Sequence, residues 1–121
     1  MPKILIVEDN IDILETTEEI LKLKGYEVKT AQNGQKGLEQ AKEYRPHLII
    51  SDISMPIMNG FEMLKAIRSD AKTALIPFIF LTAKTQKVDI LRGAVSGADR
   101  YLTKPFTKDD LLKSINEILH P

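Results

Sequence analysis

Five short apolar segments alternate with five helical patterns along this chain of 121 residues. The predicted strands are residues 3–7, 27–31, 47–51, 77–82 and 100–103. The predicted helices are residues 11–24, 34–43, 60–69, 86–95 and 108–119. Strict alternation of strand and helix predicts a parallel sheet with right-handed crossovers and helices on both faces. For five strands the common order is 2-1-3-4-5, so we expect an α/β, flavodoxin-like (βα)5 three-layer sandwich.

The composition of the individual segments refines this prediction. The first, third and fourth strands are nearly unbroken apolar runs, as expected of strands covered on both faces, whereas the second is mixed and suits a sheet edge. The first helix carries an apolar stripe of Ile13, Thr17, Ile20, Leu21 and Leu23. Gly25 is predicted to end that helix in the left-handed conformation. Thr107 followed by Asp110 predicts a capping box at the start of the last helix.

Charge and cysteine content exclude several classes of protein. The chain has 17 basic and 17 acidic residues and no cysteine. The zero net charge indicates no general attraction to nucleic acid or to an anionic membrane. The absence of cysteine excludes disulfides and thiolate metal sites and fits a reducing cytosol. No apolar run is long enough for a signal peptide or a membrane span. We therefore expect one cytoplasmic domain over residues 1–121, without membrane or direct nucleic-acid binding.

Polar side chains gather where the predicted strands end. They are Glu8 and Asp9 after the first strand, Asp52 after the third, Thr82 on the fourth and Lys104 after the fifth. Ligands of such sheets bind beyond the carboxyl ends of the strands, so we expect these side chains to converge. Three crowded carboxylates repel one another unless a cation lies among them, and oxygen ligands suit Mg²⁺. Together with a hydroxyl and an ammonium group they could hold a phosphoryl group while an aspartate oxygen attacks it.

Four motifs at these strand ends carry a resemblance to a known family. They are "VEDN" at 7–10, "SDISMPIMNG" at 51–60, "LTAK" at 81–84 and "GADRYLTKPF" at 97–106. Each is weak alone, but all four in this order form a specific signal. Over essentially its whole length the sequence resembles the receiver domain of response regulators, the phosphoacceptors of two-component phosphorelay signalling.

The resemblance implies a phosphorylation site and a metal site. Asp52 would accept a phosphoryl group from a phosphohistidine on a sensor histidine kinase or a histidine phosphotransfer protein. Asp9 and Asp52 would bind Mg²⁺ directly, with Mn²⁺ as a substitute, and Glu8 would act through water. The backbone carbonyl of Ser54 would be a further metal ligand. The domain would assist its own phosphorylation and dephosphorylation without being an enzyme for a separate substrate.

The resemblance also implies roles in switching. Lys104 would pair with the phosphate, Thr82 would donate to it, and Tyr101 would turn inward when Thr82 moves. The responding surface would comprise the predicted helix 86–95, the fifth strand and the last helix, and could form a phosphorylation-dependent homodimer. The side chains of Ser54 and Lys84 would tune the lifetime of the phosphorylated state. The residues that shape the loops would be Pro56, Gly60, Ala83 and Pro105, with a cis peptide bond before the last of these.

Several alternatives remain open from the residues alone. Glu8 and Asp9 could cap the first helix, as could Asn10, and Tyr101 could be an ordinary strand residue. A phosphatase of the haloacid dehalogenase type would open with Asp-x-Asp, which "DIS" at 52–54 lacks. A flavin-binding protein would need a phosphate loop where "EDNIDI" is acidic. The initial Met-Pro-Lys favours a protein N-terminus over a receiver fused behind a kinase. A stand-alone receiver and the first part of a larger regulator with an output domain both fit.

Overall fold

The computed structural model describes residues 1–83 and 97–121. Lys84 and the helix predicted over residues 86–95 lie outside the described residues. The elements in chain order are β1 (Lys3–Val7), α1 (Ile11–Leu23), β2 (Glu27–Ala31), α2 (Gly34–Tyr44), β3 (Leu48–Asp52), α3 (Gly60–Ser69), β4 (Phe78–Ala83), β5 (Arg100–Lys104) and α4 (Lys108–Leu119).

The five strands form one parallel sheet in the order β2-β1-β3-β4-β5. The predicted strand order and the flavodoxin-like fold class are therefore confirmed, and β2 lies at an edge as expected. Alternate residues of the central strands supply two separate cores. The core shared with α2 and α3 includes Leu5, Val7, Ile49, Phe78, Phe80, Met63, Leu64 and Ile67. The core shared with α1 and α4 includes Ile4, Ile6, Ile50, Ile79, Leu81, Leu14, Leu21, Leu111 and Ile115.

Two strands begin and end one residue later than the sequence pattern predicts. Strand β3 includes Asp52 as its last residue, and Asp52 pairs in register with Leu81 of β4. Thr82 lies one residue before the end of β4, and Lys104 is the last residue of β5. The strand ladder thus extends into the site and holds the backbone of these three residues.

The inward face of α1 differs from the predicted stripe. Leu23 is 82% exposed, and Leu14 is buried instead together with Thr17 and Leu21. Successive helical residues are about 100° apart, so Leu23 lies about 200° around the helix from Leu21 and faces away from the sheet. Gly25 ends the helix with a φ of 97°, as predicted.

Polar side chains define where the helices begin. Asn10 and Asn33 accept hydrogen bonds from the first turns of α1 and α2. The predicted capping box between Thr107 and Asp110 is present at the start of α4. A second capping box, between Asn59 and Glu62, begins α3 immediately after the loop that follows Asp52. These caps satisfy backbone amides that a helix leaves unpaired and fix the direction in which each helix leaves its loop.

Arg68, in the last turn of α3, ties together segments that are distant in sequence. Its guanidinium donates to the carbonyls of Ala74 (3.1 Å), Ile76 (2.6 Å) and Gly97 (3.1 Å) and to the Asp99 carboxylate (3.3 Å). The same carboxylate accepts from the Phe78 amide at 2.8 Å. Arg68 and Asp99 therefore hold the start of β4 and the segment before β5 against α3.

Replacing Arg68 should destabilise the fold. We expect Arg68→Met to lower the free energy of unfolding by about 2 kcal/mol, because two partly buried carbonyls lose their donor. Urea denaturation followed by circular dichroism measures this change. Lys65→Met, at an exposed position of the same helix, is the control and should change stability by less than about 0.5 kcal/mol. Equal effects of the two substitutions would contradict the assignment.

Candidate metal and phosphoacceptor site

Three carboxylates meet at the carboxyl edge of the sheet. Strands β1 and β3 are direct neighbours, so Glu8 and Asp9 after β1 lie beside Asp52 at the end of β3. One carboxylate oxygen from each of the three residues lies within 4.8 Å of the others. Glu8 is 0% exposed and Asp52 is buried, whereas Asp9 is exposed. The structure thus brings together three acids from two strand ends, two of them withdrawn from water.

Lys104 reaches the acids from β5, across the intervening strand β4. Its Nζ lies 2.8 Å from Glu8 Oε1 and 3.3 Å from Asp52 Oδ1. The sequence predicted Lys104 as a partner for phosphate, but its hydrogen bond to Glu8 was not predicted. Removing charges from water is unfavourable unless they are paired, so this ammonium group is the counter-charge that the described structure supplies to the two buried acids.

Burial and mutual repulsion shift the protonation of this cluster. Burial raises the pKa of Glu8 to about 7, and the charge of Asp52 adds to the rise while Lys104 opposes it. Burial also raises the pKa of Asp52, against the opposing effects of Lys104 and of the Ile53 amide. Burial lowers the pKa of Lys104, but its contacts with Glu8 and Asp52 raise it by more, so Lys104 stays charged. An additional cation beside these acids would stabilise their ionised forms.

The donor atoms fit Mg²⁺. Carboxylate oxygens at the edge of a cleft are hard ligands, and Mg²⁺ typically takes one or two of them and keeps several waters. Asp9 is exposed to solvent and can therefore bind a hydrated ion, whereas Glu8 lies behind it, bonded to Lys104. The Ile53 amide donates to Asp52 Oδ1 at 2.9 Å and orients this carboxylate. Ser54, exposed, follows in the loop.

Two buried hydroxyl groups lie on β4 and β5. Thr82 Oγ1 and the Tyr101 hydroxyl have no hydrogen-bond partner among residues 1–83 and 97–121. The Tyr101 ring stacks on Phe80 with centroids 6.0 Å apart. Burying a hydroxyl without a partner is unfavourable, so a group that accepts a hydrogen bond from Thr82 would be stabilised there. The structure thus places Thr82 at the strand end that the sequence predicted.

The loop between β3 and α3 is held close to the sheet by glycine. The Gly60 amide donates to the Ile53 carbonyl at 2.8 Å, and a side chain on Gly60 would collide with the Asp52 carbonyl and the Phe80 ring. The Gly34 amide, at the start of α2, donates to the Met58 carbonyl at 3.0 Å. Gly60 was predicted to shape this loop. The role of Gly34 was not, because nothing in the local sequence indicates which backbone will approach it.

The other residues predicted to shape the loops are Pro56, Ala83 and Pro105. The peptide bond between Lys104 and Pro105 is cis. Pro56 and Pro105 are exposed, and Ala83, the last residue of β4, is half-buried. The sequence did not predict the conformation of Ile57, which has a φ of 71°. Lys84, expected to tune the site, lies outside the described residues.

The strand order and the acid cluster define a flavodoxin-like α/β protein with a site suited to a divalent cation. The chain belongs to the response regulator receiver domain family, whose sequence profile matches residues 4–116. It is 39% identical over 119 residues to Protein PilH of Pseudomonas aeruginosa, with 98% of each chain covered. This family membership does not support the alternative of a haloacid dehalogenase-type phosphatase.

Solved structures agree with this membership. The chemotaxis response regulator CheY4 of Vibrio cholerae superimposes with a TM-score of 0.91 at 38% identity, covering 98% of both chains. The receiver domain of the sensor histidine kinase PA1611 of Pseudomonas aeruginosa, which has a magnesium ion coordinated in its active site cleft, superimposes with a TM-score of 0.92 at 28% identity, covering 99% of this chain and 98% of the other.

The extent of the match differs among relatives. The chain spans 98% of the length of PilH. It spans only about half the length of the transcriptional regulators that it matches, and 49% of the length of one of them. Within residues 1–83 and 97–121, no helix has the length and apolar character needed to cross a bilayer.

Proposed function

We propose that residues 1–121 form a phosphoacceptor domain in which Asp52 takes a phosphoryl group from a phosphohistidine. The donor is a sensor histidine kinase or a histidine phosphotransfer protein. The observation that carries this proposal is the arrangement around Asp52, with Lys104 Nζ at 3.3 Å and the Glu8 and Asp9 carboxylates within 4.8 Å. An aspartate in such surroundings can act as an oxygen nucleophile, because nearby positive charge offsets the negative charge of the phosphoryl oxygens.

The transfer exchanges one bond to phosphorus for another. A carboxylate oxygen of Asp52 attacks the phosphorus atom as the bond from phosphorus to the histidine nitrogen breaks. The electron pair of the broken bond stays with the imidazole, and Asp52 becomes an acyl phosphate. The Ile53 amide holds the attacking carboxylate in place. Lys104, released from its ion pairs with Glu8 and Asp52, pairs with the phosphoryl oxygens, and the buried Thr82 hydroxyl donates to one of them.

The acid cluster would hold Mg²⁺, or Mn²⁺ in its place, during this reaction. Asp9, Asp52 and the backbone carbonyl of Ser54 would be direct ligands, and Glu8 would act through water. When bound, the ion neutralises the negative charge of the phosphoryl oxygens. The exposure of Asp9 and the full burial of Glu8 support this division of roles.

Phosphorylation would be transmitted through the two residues with buried hydroxyl groups, Thr82 and Tyr101. Thr82 moves towards the phosphate, and Tyr101 turns inward into the space released. The responding surface would combine residues 86–95, which lie outside the described residues, with β5 and α4. The side chains of Ser54 and Lys84 would tune the lifetime of the acyl phosphate.

The proposal extends to the cellular setting. The chain would be cytoplasmic, would signal to an output domain or a separate protein, and would not contact nucleic acid or membrane itself. It would accelerate its own phosphorylation and dephosphorylation without turning over a separate substrate. A homodimer that forms on phosphorylation is a further expectation. The receiver family membership and the charge balance of 17 basic and 17 acidic residues support this assignment.

Phosphorylation by a small donor tests the proposal directly. With acetyl phosphate and Mg²⁺, intact mass spectrometry should show wild-type protein gaining one phosphoryl group, and Asp52→Asn gaining none. Asp109→Asn, which removes an exposed acid in the first turn of α4, is the matched control and should be labelled like wild type. Equal labelling of wild type and Asp52→Asn, or no labelling of wild type, would show that Asp52 is not the acceptor.

A further inference from the structure

The loop between β3 and α3 holds an isoleucine in a conformation that branched side chains rarely adopt. Ile57 has a φ of 71°, and the Met58 amide donates across it to the Pro56 carbonyl at 2.7 Å. A hydrogen bond between residues two apart, around a central residue of positive φ, forms the rare and strained type of γ-turn. A β-branched residue in this region is an outlier because its side chain crowds the backbone.

Contacts on both sides of Ile57 maintain this turn. The Met58 carbonyl accepts from the Gly34 amide at 3.0 Å, and the Gly60 amide donates to the Ile53 carbonyl at 2.8 Å. The capping box of Asn59 fixes the start of α3 directly afterwards. The path of the loop is therefore set by its neighbours, and asparagine or glycine would follow it with less strain. The turn does not require isoleucine.

The Ile57 side chain does not contribute to the core either. It is 80% exposed. The other exposed large apolar side chains among the described residues are Met1, Ile11, Leu23 and Leu75. Of these, Met1, Leu23 and Leu75 lie towards the amino edge of the sheet, because they precede strands or end a helix that returns from the site. Ile11, 43% exposed, begins α1 just after Asp9. Ile57 thus lies on the loop after β3, and Ile11 lies in the first turn of α1, directly after the loop that carries Asp9.

We propose that Ile57, together with Ile11, is a docking and specificity contact for the protein that phosphorylates Asp52. This proposal rests on the proposed function. A protein that brings a phosphohistidine to Asp52 must cover the loops after β1 and β3. The first of these loops leads directly into Ile11, and the second carries Ile57. It would present an apolar patch beside its phosphorylated histidine, and covering two exposed apolar side chains would favour the complex. A small phosphodonor reaches Asp52 without touching either side chain.

The experiment compares a protein donor with a small donor. The protein donor is the kinase or phosphotransfer protein that transfers fastest to wild type among purified, autophosphorylated donors from the source organism. The variants are Ile57→Asn, which tolerates the turn, and Ile57→Val, which keeps an apolar branched side chain. Leu75→Asn is the matched control, because it removes an exposed apolar side chain (95% exposed) at the opposite edge of the sheet.

We expect Ile57→Asn to slow transfer from the protein donor by about tenfold, the loss of one strong interface contact. Ile57→Val should stay within about twofold of wild type, and Leu75→Asn should match wild type. Acetyl phosphate should label every variant at the wild-type rate. Relief of strain should raise the melting temperature of Ile57→Asn by about 5 °C.

The outcomes separate this proposal from the proposed function. If acetyl phosphate does not label wild type at Asp52, the proposed function fails. If labelling by acetyl phosphate succeeds but Ile57→Asn accepts phosphate from the protein donor at the wild-type rate, only the docking role is overturned. The same conclusion follows if no protein donor outpaces acetyl phosphate on wild type. A lower melting temperature of Ile57→Asn would show that the side chain supports the fold instead, and would also overturn the proposal.

Discussion

Gly60→Ala is expected to lower the free energy of unfolding by about 3 kcal/mol, because a methyl group at this position has no space. An ideal Cβ on Gly60 lies 2.7 Å from Cε1 of Phe80 and 3.1 Å from Cα of Ile53, and it also collides with the Asp52 carbonyl. Two of these three neighbours are backbone atoms, which cannot move without displacing β3. Overpacking of this kind typically lowers the free energy of unfolding by roughly 1–3 kcal/mol, and occasionally by more.

The neighbouring aromatic rings cannot relieve the collision. Phe80 packs against Phe61, Phe78 and Tyr101 with ring centroids 5.1, 4.9 and 6.0 Å away. Relief therefore requires a shift of α3 or of the Asp52 backbone. Because Asp52 would move, Gly60→Ala should also slow labelling by acetyl phosphate, which the stability measurement alone would not reveal.

Gly25→Ala is the control for this prediction. Gly25 has a φ of 97°, but apart from its chain neighbours no atom of residues 1–83 and 97–121 lies within 4 Å of its ideal Cβ. Its substitution introduces only backbone strain, of about 1 kcal/mol. Urea denaturation of both variants compares the destabilisation caused by the steric collision at Gly60 with that caused by backbone strain at Gly25. If Gly25→Ala costs as much as Gly60→Ala, or if Gly60→Ala labels at the wild-type rate, the packing argument is wrong.

Without a divalent cation, stability should fall as the pH rises from about 5 to 8. The pKa of Glu8 is raised from 4.5 to about 7 by folding, so the folded chain binds this proton more tightly than the unfolded chain. The resulting stabilisation is complete below pH 4.5 and is lost as the pH rises through about 7. A shift of this size corresponds to about 3 kcal/mol. The raised pKa of Asp52 acts in the same direction.

Mg²⁺ should reverse this loss, and its effect should grow with pH. A cation that binds only the folded state stabilises it by mass action, and it favours the ionised acids that predominate above pH 7. Melting temperatures measured in EDTA and in millimolar Mg²⁺ at pH 5.5 and 8 test this expectation. We expect a larger Mg²⁺ shift at pH 8. Equal shifts at both values, or none, would contradict a metal site at the acid cluster.

A single substitution isolates the contribution of Glu8. Without Mg²⁺ at pH 8, Glu8→Gln should be more stable than wild type, because a buried charge that repels Asp52 is removed. Its stability should also vary less with pH between 5 and 8. Glu15→Gln removes an exposed charge from α1 and should follow the wild-type profile. A Glu8→Gln curve parallel to that of wild type would assign the pH dependence to other groups.

The sequence predicted the sheet because its pattern is local and repeated. Apolar runs of strand length alternate with helical periods, and for a parallel sheet this alternation nearly determines the topology. It also predicted which side chains would meet, since the carboxyl ends of parallel strands share one edge. Asp52 and Lys104 converge for this reason, although the two residues are far apart in the chain. Prediction was less accurate for α1, where the predicted apolar stripe included Leu23, which is exposed, and omitted Leu14, which is buried.

Strand order, the capping box at Thr107 and the meeting of Glu8, Asp9, Asp52 and Lys104 follow from the amino-acid sequence, because each depends on residue type and spacing along the chain. The pairing within the site was decided by tertiary packing. Lys104 bonds to Glu8 at 2.8 Å because β5 and β1 are held on either side of β3 and β4. The full burial of Glu8, the close approach at Gly34 and Gly60 and the strained turn at Ile57 arise in the same way. Each depends on which surfaces of distant segments come into contact, and no local pattern records that.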